Sequence, residues 1–113
     1  IPNQIWSMNE GKTPLMKLAV EFQLEQALRY KGNETHDWAR RKLDFLIKHS
    51  EINARDISGQ TALMLATQHR FIEVAKVLLE KGALPDIKDK SGKTALDYAI
   101  QGGHTALVKL LMN

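Results

Sequence analysis

The residues most suggestive of chemistry are Gly-Lys-Thr at 92–94, the three letters that close a phosphate-binding loop. Such a loop needs another glycine five residues before the second one, so that consecutive backbone N–H groups can surround a phosphate. Ile87 stands at that position, and a second copy of the tripeptide at 11–13 has Trp6 there. A third copy, at 59–61, replaces the lysine with glutamine. These departures argue against nucleotide binding and favour a repeated structural motif.

The histidines and serines do not form a pattern typical of a catalytic or metal-binding site. His36, His49, His69 and His104 include no pair at the i, i+4 spacing of H-E-x-x-H. No serine lies in the G-x-S-x-G setting of a nucleophile, and the absence of cysteine excludes a disulfide framework and a thiolate zinc site. We therefore predict that the chain is not an enzyme and holds no metal and no cofactor.

Length and composition fit one domain with a mildly basic balance of charge. The 113 residues can bury a modest core without disulfides. The formal net charge is +3 and the isoelectric point is near 9.3, which permits an acidic partner or weak nucleic-acid contact. No apolar run approaches the roughly 18 residues of a membrane span, and residues 1–10 do not have the pattern of a signal peptide. Because the sequence lacks an initiator methionine, we expect it to be a piece of a longer protein.

The sequence repeats itself at an interval of 33 residues. Residues 56–80 and 89–113 share ten identical pairs in 25 positions, and a fixed interval of this length indicates a stacked repeat architecture. Each copy starts with the turn pattern Asp-x-Ser-Gly and continues with a threonine, Thr61 or Thr94, that suits a helix N-cap. Two short apolar helices follow, and Gly82 suits the end of the second one. Because neither helix alone buries both of its apolar faces, the units must stack.

The two copies resemble the ankyrin repeat. The segments that carry the resemblance are SGQTALMLATQHRFIEVAKVLLEKGALPDIKD and KSGKTALDYAIQGGHTALVKLLMN, and HSEINARD at 49–56 is similar to the exit segment of the family. The resemblance implies an all-α fold, an ankyrin-repeat solenoid of stacked helix–turn–helix units with hairpin-like connecting turns. It also implies one domain over residues 1–113, with repeats at about 9–56, 57–89 and 90–113.

Several residues depart from the family pattern. The histidine of the family's T-P-L-H motif is replaced by Met16, Met64 and Asp97, and we expect Asp97 to make a cap or hairpin contact. Arg70 stands where a glycine is usual, and His49 replaces the cap glycine. Because a non-glycine residue at positive φ costs roughly 1 kcal/mol, we expect only modest stability.

The first repeat is longer than the others. From the N-cap threonine to the aspartate of the next turn, the second repeat spans 28 residues and the first spans 43, which is 15 more. We place this insertion near 21–37 and predict two lengthened helices, at 14–30 and 36–50. The extension either packs on itself or forms a docking surface with Trp38 as anchor, since Trp is over-represented among binding hot spots. We interpret the basic run at 40–42 as a solvated helix face.

The family resemblance implies a recognition scaffold rather than a site of chemistry. Partners of such stacks lie across the hairpin tips and the exposed faces of the first helices, and the tips here are mainly basic. Lysines on these turns either attract an acidic partner, which speeds encounter more than it deepens affinity, or are simply solvated. The positions carried over to this chain, besides Trp38, are Asn9, Glu10, Lys12, Arg55, Ile57, Ser58, Gln60, Gln68, His69, Lys88, Lys90, Ser91, Lys93 and Gln101.

Three function classes follow from these observations. We favour a non-catalytic module that binds another protein or peptide with an acidic surface, inside the cell, in the cytoplasm or nucleus. The alternative is a targeting or regulatory segment of a larger enzyme or of a microbial effector, which would act in the host cytoplasm. A nucleic-acid-binding module is less favoured, because no aromatic residues interleave with the basic tips. Exposed repeat ends also leave self-association open.

Overall fold

The computed structural model describes residues 13–29, 37–49 and 51–112. Within these ranges the chain forms seven α-helices and no β-strand, which confirms the predicted all-α class. The helices are α1 (Pro14–Ala19), α2 (Phe22–Arg29), α3 (Asp37–His49), α4 (Ala62–Gln68), α5 (Ile72–Glu80), α6 (Ala95–Gln101) and α7 (Thr105–Met112).

Threonine caps start the first helix of each repeat, as the sequence predicts. The Oγ1 atoms of Thr13, Thr61 and Thr94 accept hydrogen bonds from the backbone N–H three residues ahead, at 3.2, 3.3 and 3.2 Å. Each of these threonines has extended backbone, which is the usual state of an N-cap residue. The threonine of each Gly-Lys/Gln-Thr copy therefore uses its hydroxyl to begin a helix.

The helices stack in two rows. The first helices of the repeats, α1, α4 and α6, contact one another in that order, while α2, α5 and α7 form the second row. Buried side chains from all seven described helices belong to one cluster, in which Leu15, Leu63, Val74, Leu78 and Leu107 have almost no exposed surface. Each layer buries its apolar face against the next, as expected for a repeat stack.

Left-handed backbone occurs at the turns between paired helices. Arg70 has a φ of 60°, and Gly103, its counterpart 33 residues later, has a φ of 70°. This confirms that Arg70 occupies a glycine position and bears the associated strain, about 1 kcal/mol. We expected His49, in place of a cap glycine, to have a positive φ, and this prediction is wrong. Residue 49 is still helical, and Arg70 is the single non-glycine residue with positive φ in the described ranges.

The long first repeat differs from the prediction in one respect. The helix predicted at 36–50 forms as the continuous α3. The single helix predicted at 14–30 is instead broken into α1 and α2 at Val20 and Glu21. The Glu21 N–H bonds to the Leu18 carbonyl at 3.0 Å, which tightens the last turn of α1. The break has a structural consequence, because it lets α1 lie on α4 in the first row while α2 lies on α5 in the second. The repeat boundaries and the insertion stay predictions, since residues 30–36 lie outside the described ranges.

Candidate partner-binding face

Two aspartates build the turns at the tips. Asp56 Oδ1 accepts hydrogen bonds from the backbone N–H groups of Ser58 and Gln60, at 2.9 and 3.0 Å. Asp89 Oδ1 does the same for Ser91 and Lys93, at 2.8 and 3.0 Å. Both aspartates are buried, so their carboxylates hold the turns instead of facing solvent.

Arg55 joins the two tips. Its Nη2 donates to the carbonyl of Lys88 at 3.0 Å and its Nε to the carbonyl of Gly59 at 3.2 Å. The Lys90 N–H also donates to the Ser58 carbonyl at 3.1 Å. The Arg55 guanidinium, a predicted partner contact, therefore spans two neighbouring turns and fixes one relative to the other.

Tyr98 lies beneath the tips, and sequence reasoning did not select it. Its hydroxyl donates to Asp89 Oδ2 and accepts from Gln60 Nε2 at 3.2 Å. The Tyr98 hydroxyl lowers the pKa of the Asp89 carboxyl below its usual value, while burial, and then Asp89, raise the pKa of Tyr98. One feature of the sequence could have identified Tyr98. It stands where the preceding repeat has Leu65, so it introduces a hydroxyl at an apolar position.

The lysine of the Gly-Lys-Thr tripeptide has protein partners of its own. Lys93 Nζ donates to Gln101 Oε1 at 3.1 Å and lies 5.7 Å from the centre of the Tyr98 ring. This is a cation–π distance. Lys93 therefore orders Gln101 and covers Tyr98.

The predicted residues fall into two groups. We call the group around the two turns the fingertip face, which consists of Arg55, Ile57, Ser58, Gln60, Lys88, Lys90, Ser91, Lys93 and Gln101. Ile57 at its tip is 57% exposed, and Lys88 and Lys90 are also exposed. Asn9, Glu10 and Lys12 lie outside the described residues.

The remaining predicted residues lie on helices. Gln68 and His69 are exposed at the end of α4, where the His69 ring stacks on Phe71 with 5.5 Å between ring centres. Trp38 is 43% exposed on α3, which packs on α1 and α2. Trp38 is therefore on a different helix surface from the fingertip face.

The His104 side chain has a structural role at the turn between α6 and α7. Its Nδ1 accepts a hydrogen bond from Arg70 Nε at 2.8 Å, and burial, followed by the Arg70 charge, lowers its pKa. A Cβ on Gly102 would lie 2.5 Å from His104 Nε2, so the ring packs directly on that glycine. In the described ranges, no group of three or more His, Asp or Glu side chains is arranged to hold a metal ion.

No helix in the described ranges is both long and apolar enough to cross a bilayer.

Comparison with known proteins identifies the family. A family model described as ankyrin repeats (3 copies) matches residues 36–113. The chain is 36% identical over 115 residues to ankyrin repeat and SAM domain-containing protein 6 of Rattus norvegicus, which covers 97% of this chain and 11% of that protein. It is 39% identical over 72 residues to the NAD-capped RNA hydrolase NUDT12 of Homo sapiens, covering 62% of this chain and 16% of the hydrolase.

A channel protein shows a similar match. Transient receptor potential cation channel subfamily A member 1 of Homo sapiens is 39% identical over 62 residues, which is 55% of this chain and 6% of the channel. The chain thus spans a small part of each of these relatives. The stacked helix pairs, the aspartate-built tips and these matches agree: the chain belongs to the ankyrin-repeat family.

Proposed function

We propose that the chain is a non-catalytic module that docks an acidic partner protein or peptide across the fingertip face. Ankyrin repeats are generally protein–protein interaction modules, and they are typically non-catalytic even where they occur in an enzyme such as NUDT12. One observation carries the finer proposal. Lys88 and Lys90 stand exposed on either side of Asp89, whose carboxylate is buried and already accepts hydrogen bonds.

The charge of the tips supports an acidic partner. The carboxylates of Asp56 and Asp89 accept backbone N–H groups, and the carboxylate of Asp97 caps its own helix through the Thr94 N–H at 3.0 Å. Asp86 remains as an exposed acid beside Lys88. Exposed cations in such a setting steer an acidic surface toward the tips and set the ionic-strength dependence of association.

The rigidity of the tips also supports binding. Each turn is closed by backbone hydrogen bonds, with 2.9 Å from the Asp56 N–H to the Gln60 carbonyl and 2.9 Å from the Asp89 N–H to the Lys93 carbonyl. Because the turns are ordered before the partner arrives, little conformational entropy is lost on binding. Ile57 supplies an exposed apolar side chain on this preformed surface, and the exposed Lys88 and Lys90 add positive charge to it.

The test is capture of partners from a cytosolic lysate by the wild type and by the variant Lys88→Glu/Lys90→Glu. Lys93 is left unchanged, because its substitution would also remove the contacts to Gln101 and Tyr98. The matched control is Lys48→Glu/Lys109→Glu, which makes the same charge change on α3 and α7. Circular dichroism checks that both variants remain folded.

We expect the tip variant to lose a partner that the wild type and the control both retain. Equal capture by all three proteins would contradict the proposal. The identity of the captured protein then tests the charge argument, because an acidic binding segment is expected. Fractionation of cells into cytoplasm and nucleus checks the expected intracellular location.

A second candidate function is a targeting segment of a larger enzyme. The match to NUDT12, an NAD-capped RNA hydrolase, favours it. In that case the fingertip face recruits the enzyme to its target, and the chemistry lies elsewhere in the natural protein. The Lys88→Glu/Lys90→Glu change in the natural full-length protein would then weaken recruitment and leave turnover of a small substrate unchanged.

A further inference from the structure

The two turns of the fingertip face have the same backbone and different side chains. In each turn the Oδ1 atom of the aspartate accepts hydrogen bonds from the N–H groups two and four residues ahead. Gly59 and Gly92 also have nearly equal φ values, 78° and 81°. Residues that are 33 apart in the sequence therefore occupy equivalent places on neighbouring turns, and a difference in what the turns bind must come from their side chains.

The residue that follows each aspartate differs in kind between the two turns. Ile57 is 57% exposed on the first turn, and its equivalent on the second turn is the exposed Lys90. The exposed acids closest to Lys90 along the sequence are Asp86 and Asp97, and neither belongs to its turn. The same backbone thus presents an apolar side chain in one layer of the stack and a cation in the next.

The positive charge that is available to a ligand lies on the second turn. Arg55 and Lys93 direct donors to groups of the protein itself, whereas the part of the chain that the structure describes contains no hydrogen bond or ion pair to the Nζ of Lys88 or Lys90. Asp89, between these two lysines, uses Oδ1 for two backbone N–H groups and Oδ2 for a tyrosine hydroxyl. The face is therefore apolar at one turn and cationic at the other.

We propose that the ligand of the fingertip face is an extended peptide segment with an apolar and an acidic side chain two or three residues apart. The apolar side chain packs on Ile57, and the carboxylate pairs with Lys90. This inference rests on the proposed function, because it describes the partner of the same face. It adds a pattern that a peptide must have, since net acidity alone would leave Ile57 without a contact.

The spacing within the peptide follows from the stack. Ile57 and Lys90 are equivalent residues of adjacent layers, and packed helices lie about 8–10 Å apart. The Lys90 N–H bonds to the Ser58 carbonyl at 3.1 Å, so the two turns stay in contact at their tips. In an extended chain, side chains on the same side are two residues and about 7 Å apart in a strand, or three residues and about 9 Å apart in a polyproline-type helix.

The serines of the tips favour an extended segment over a helix. Ser58 and Ser91 are exposed and follow Ile57 and Lys90 directly. Their backbone N–H groups are bonded to the turn aspartates, but in the described ranges neither hydroxyl has a hydrogen bond. A hydroxyl can donate to or accept from the backbone of an extended peptide, whereas a helix has already paired its own backbone groups. The two identical serines thus suit main-chain contacts, and the two different residues before them suit side-chain selection.

The experiment selects phage-displayed random dodecapeptides on the immobilised 113-residue chain and on its variants. The tip variants are Ile57→Ser and Lys90→Gln. The matched controls make the same changes elsewhere, with Ile100→Ser at an isoleucine that is 58% exposed on α6 and Lys109→Gln at an exposed lysine of α7. Circular dichroism checks the fold of each protein, and Ile57→Thr replaces Ile57→Ser if the serine variant is unfolded.

We expect the wild type and both controls to enrich peptides with an acidic residue two or three positions from an apolar one. Ile57→Ser should lose the preference for the apolar residue and keep that for the acid, and Lys90→Gln should do the reverse. A synthesised consensus peptide should bind each tip variant about fivefold more weakly than the wild type, and each control equally well.

Three results overturn the inference. They are no enrichment, the same peptides from the tip variants and the wild type, and a spacing of four or seven residues, which places side chains on one side of a helix. If one of these results occurs while Lys88→Glu/Lys90→Glu still loses its lysate partner, the inference fails and the proposed function stands. Equal lysate capture by wild type and that variant contradicts the proposed function itself.

Discussion

Glu25 Oε1 accepts a hydrogen bond from the backbone N–H of Val74 at 3.0 Å, so a side chain of α2 closes the amino end of α5. The other oxygen accepts from the Glu73 N–H at 3.2 Å and from Arg29 Nε at 2.8 Å. Glu25 is 1% exposed, and Phe71, the N-cap residue of α5, makes no side-chain cap of its own. The first repeat therefore supplies the cap that the second repeat lacks, and a carboxylate also suits the positive end of the helix dipole.

Loss of this cap should destabilise the fold. Glu25→Ala leaves two N–H groups and Arg29 without their acceptor, so we expect the free energy of unfolding to fall by about 3 kcal/mol. Glu25→Gln retains one acceptor oxygen and should lose about half as much. Urea denaturation measures both, with the exposed neighbour Gln26→Ala as control. A loss for Glu25→Ala no larger than for the control would show that the cap contributes nothing.

The Tyr98–Asp89 hydrogen bond should make stability depend on pH in the acid range. Because the pKa of Asp89 is lowered from 3.8 in the folded state, its carboxylate stabilises the fold above that pH, and the contribution disappears as the pH falls through the folded-state pKa. Tyr98→Phe removes the largest cause of the shift, so the free energy of unfolding should fall less steeply below about pH 4. Parallel pH profiles for wild type and Tyr98→Phe would contradict this assignment.

Arg70→Gly should stabilise the protein. The φ of 60° at Arg70 is strained for a residue with a Cβ, and the next repeat has Gly103 at the same place. Relief of the strain is worth about 1–2 kcal/mol, against the loss of an exposed hydrogen bond to His104 and the greater freedom of glycine in the unfolded chain. We expect a net gain of about 0.5 kcal/mol by thermal denaturation. A lower melting temperature would mean that the Arg70–His104 bond outweighs the strain.

The contact between the two tips can be measured with a pair of glycines. Gly59 and Gly92 have φ values of 78° and 81°, so alanine at either position introduces similar strain, about 1 kcal/mol. A Cβ on Gly59 would also lie 2.9 Å from the backbone nitrogen of Lys90, whereas a Cβ on Gly92 meets nothing within 4 Å. We therefore expect Gly59→Ala to cost about 1–3 kcal/mol more than Gly92→Ala. Equal losses of unfolding free energy would show that the tips can separate without cost.

The features that the sequence predicts well depend on neighbours along the chain. The caps at Thr61 and Thr94 each act on a backbone N–H three residues away, and the aspartate turns close within four residues. The expected cap role of Asp97 is confirmed, since it forms a capping box with Thr94. Such short-range patterns can be identified from residue type and spacing alone.

The features that the sequence did not predict depend on distant parts of the chain. Glu25 is 49 residues from Val74, and the break at Val20 is useful only because α2 contacts α5. Tyr98 likewise contacts Gln60, which is 38 residues away. No local propensity encodes these contacts, because the register between layers decides which side chains meet.

The attachments of α5 have a consequence for cooperativity. Its amino end is held by Glu25 of α2, and its carboxyl end by ion pairs from Arg40 and Asp44 of α3. Opening of the first repeat therefore removes support from both ends of α5 at once. Amide hydrogens of α2 and α5 should exchange with deuterium as one unit, so that fraying from this side of the stack proceeds in a step of two repeats.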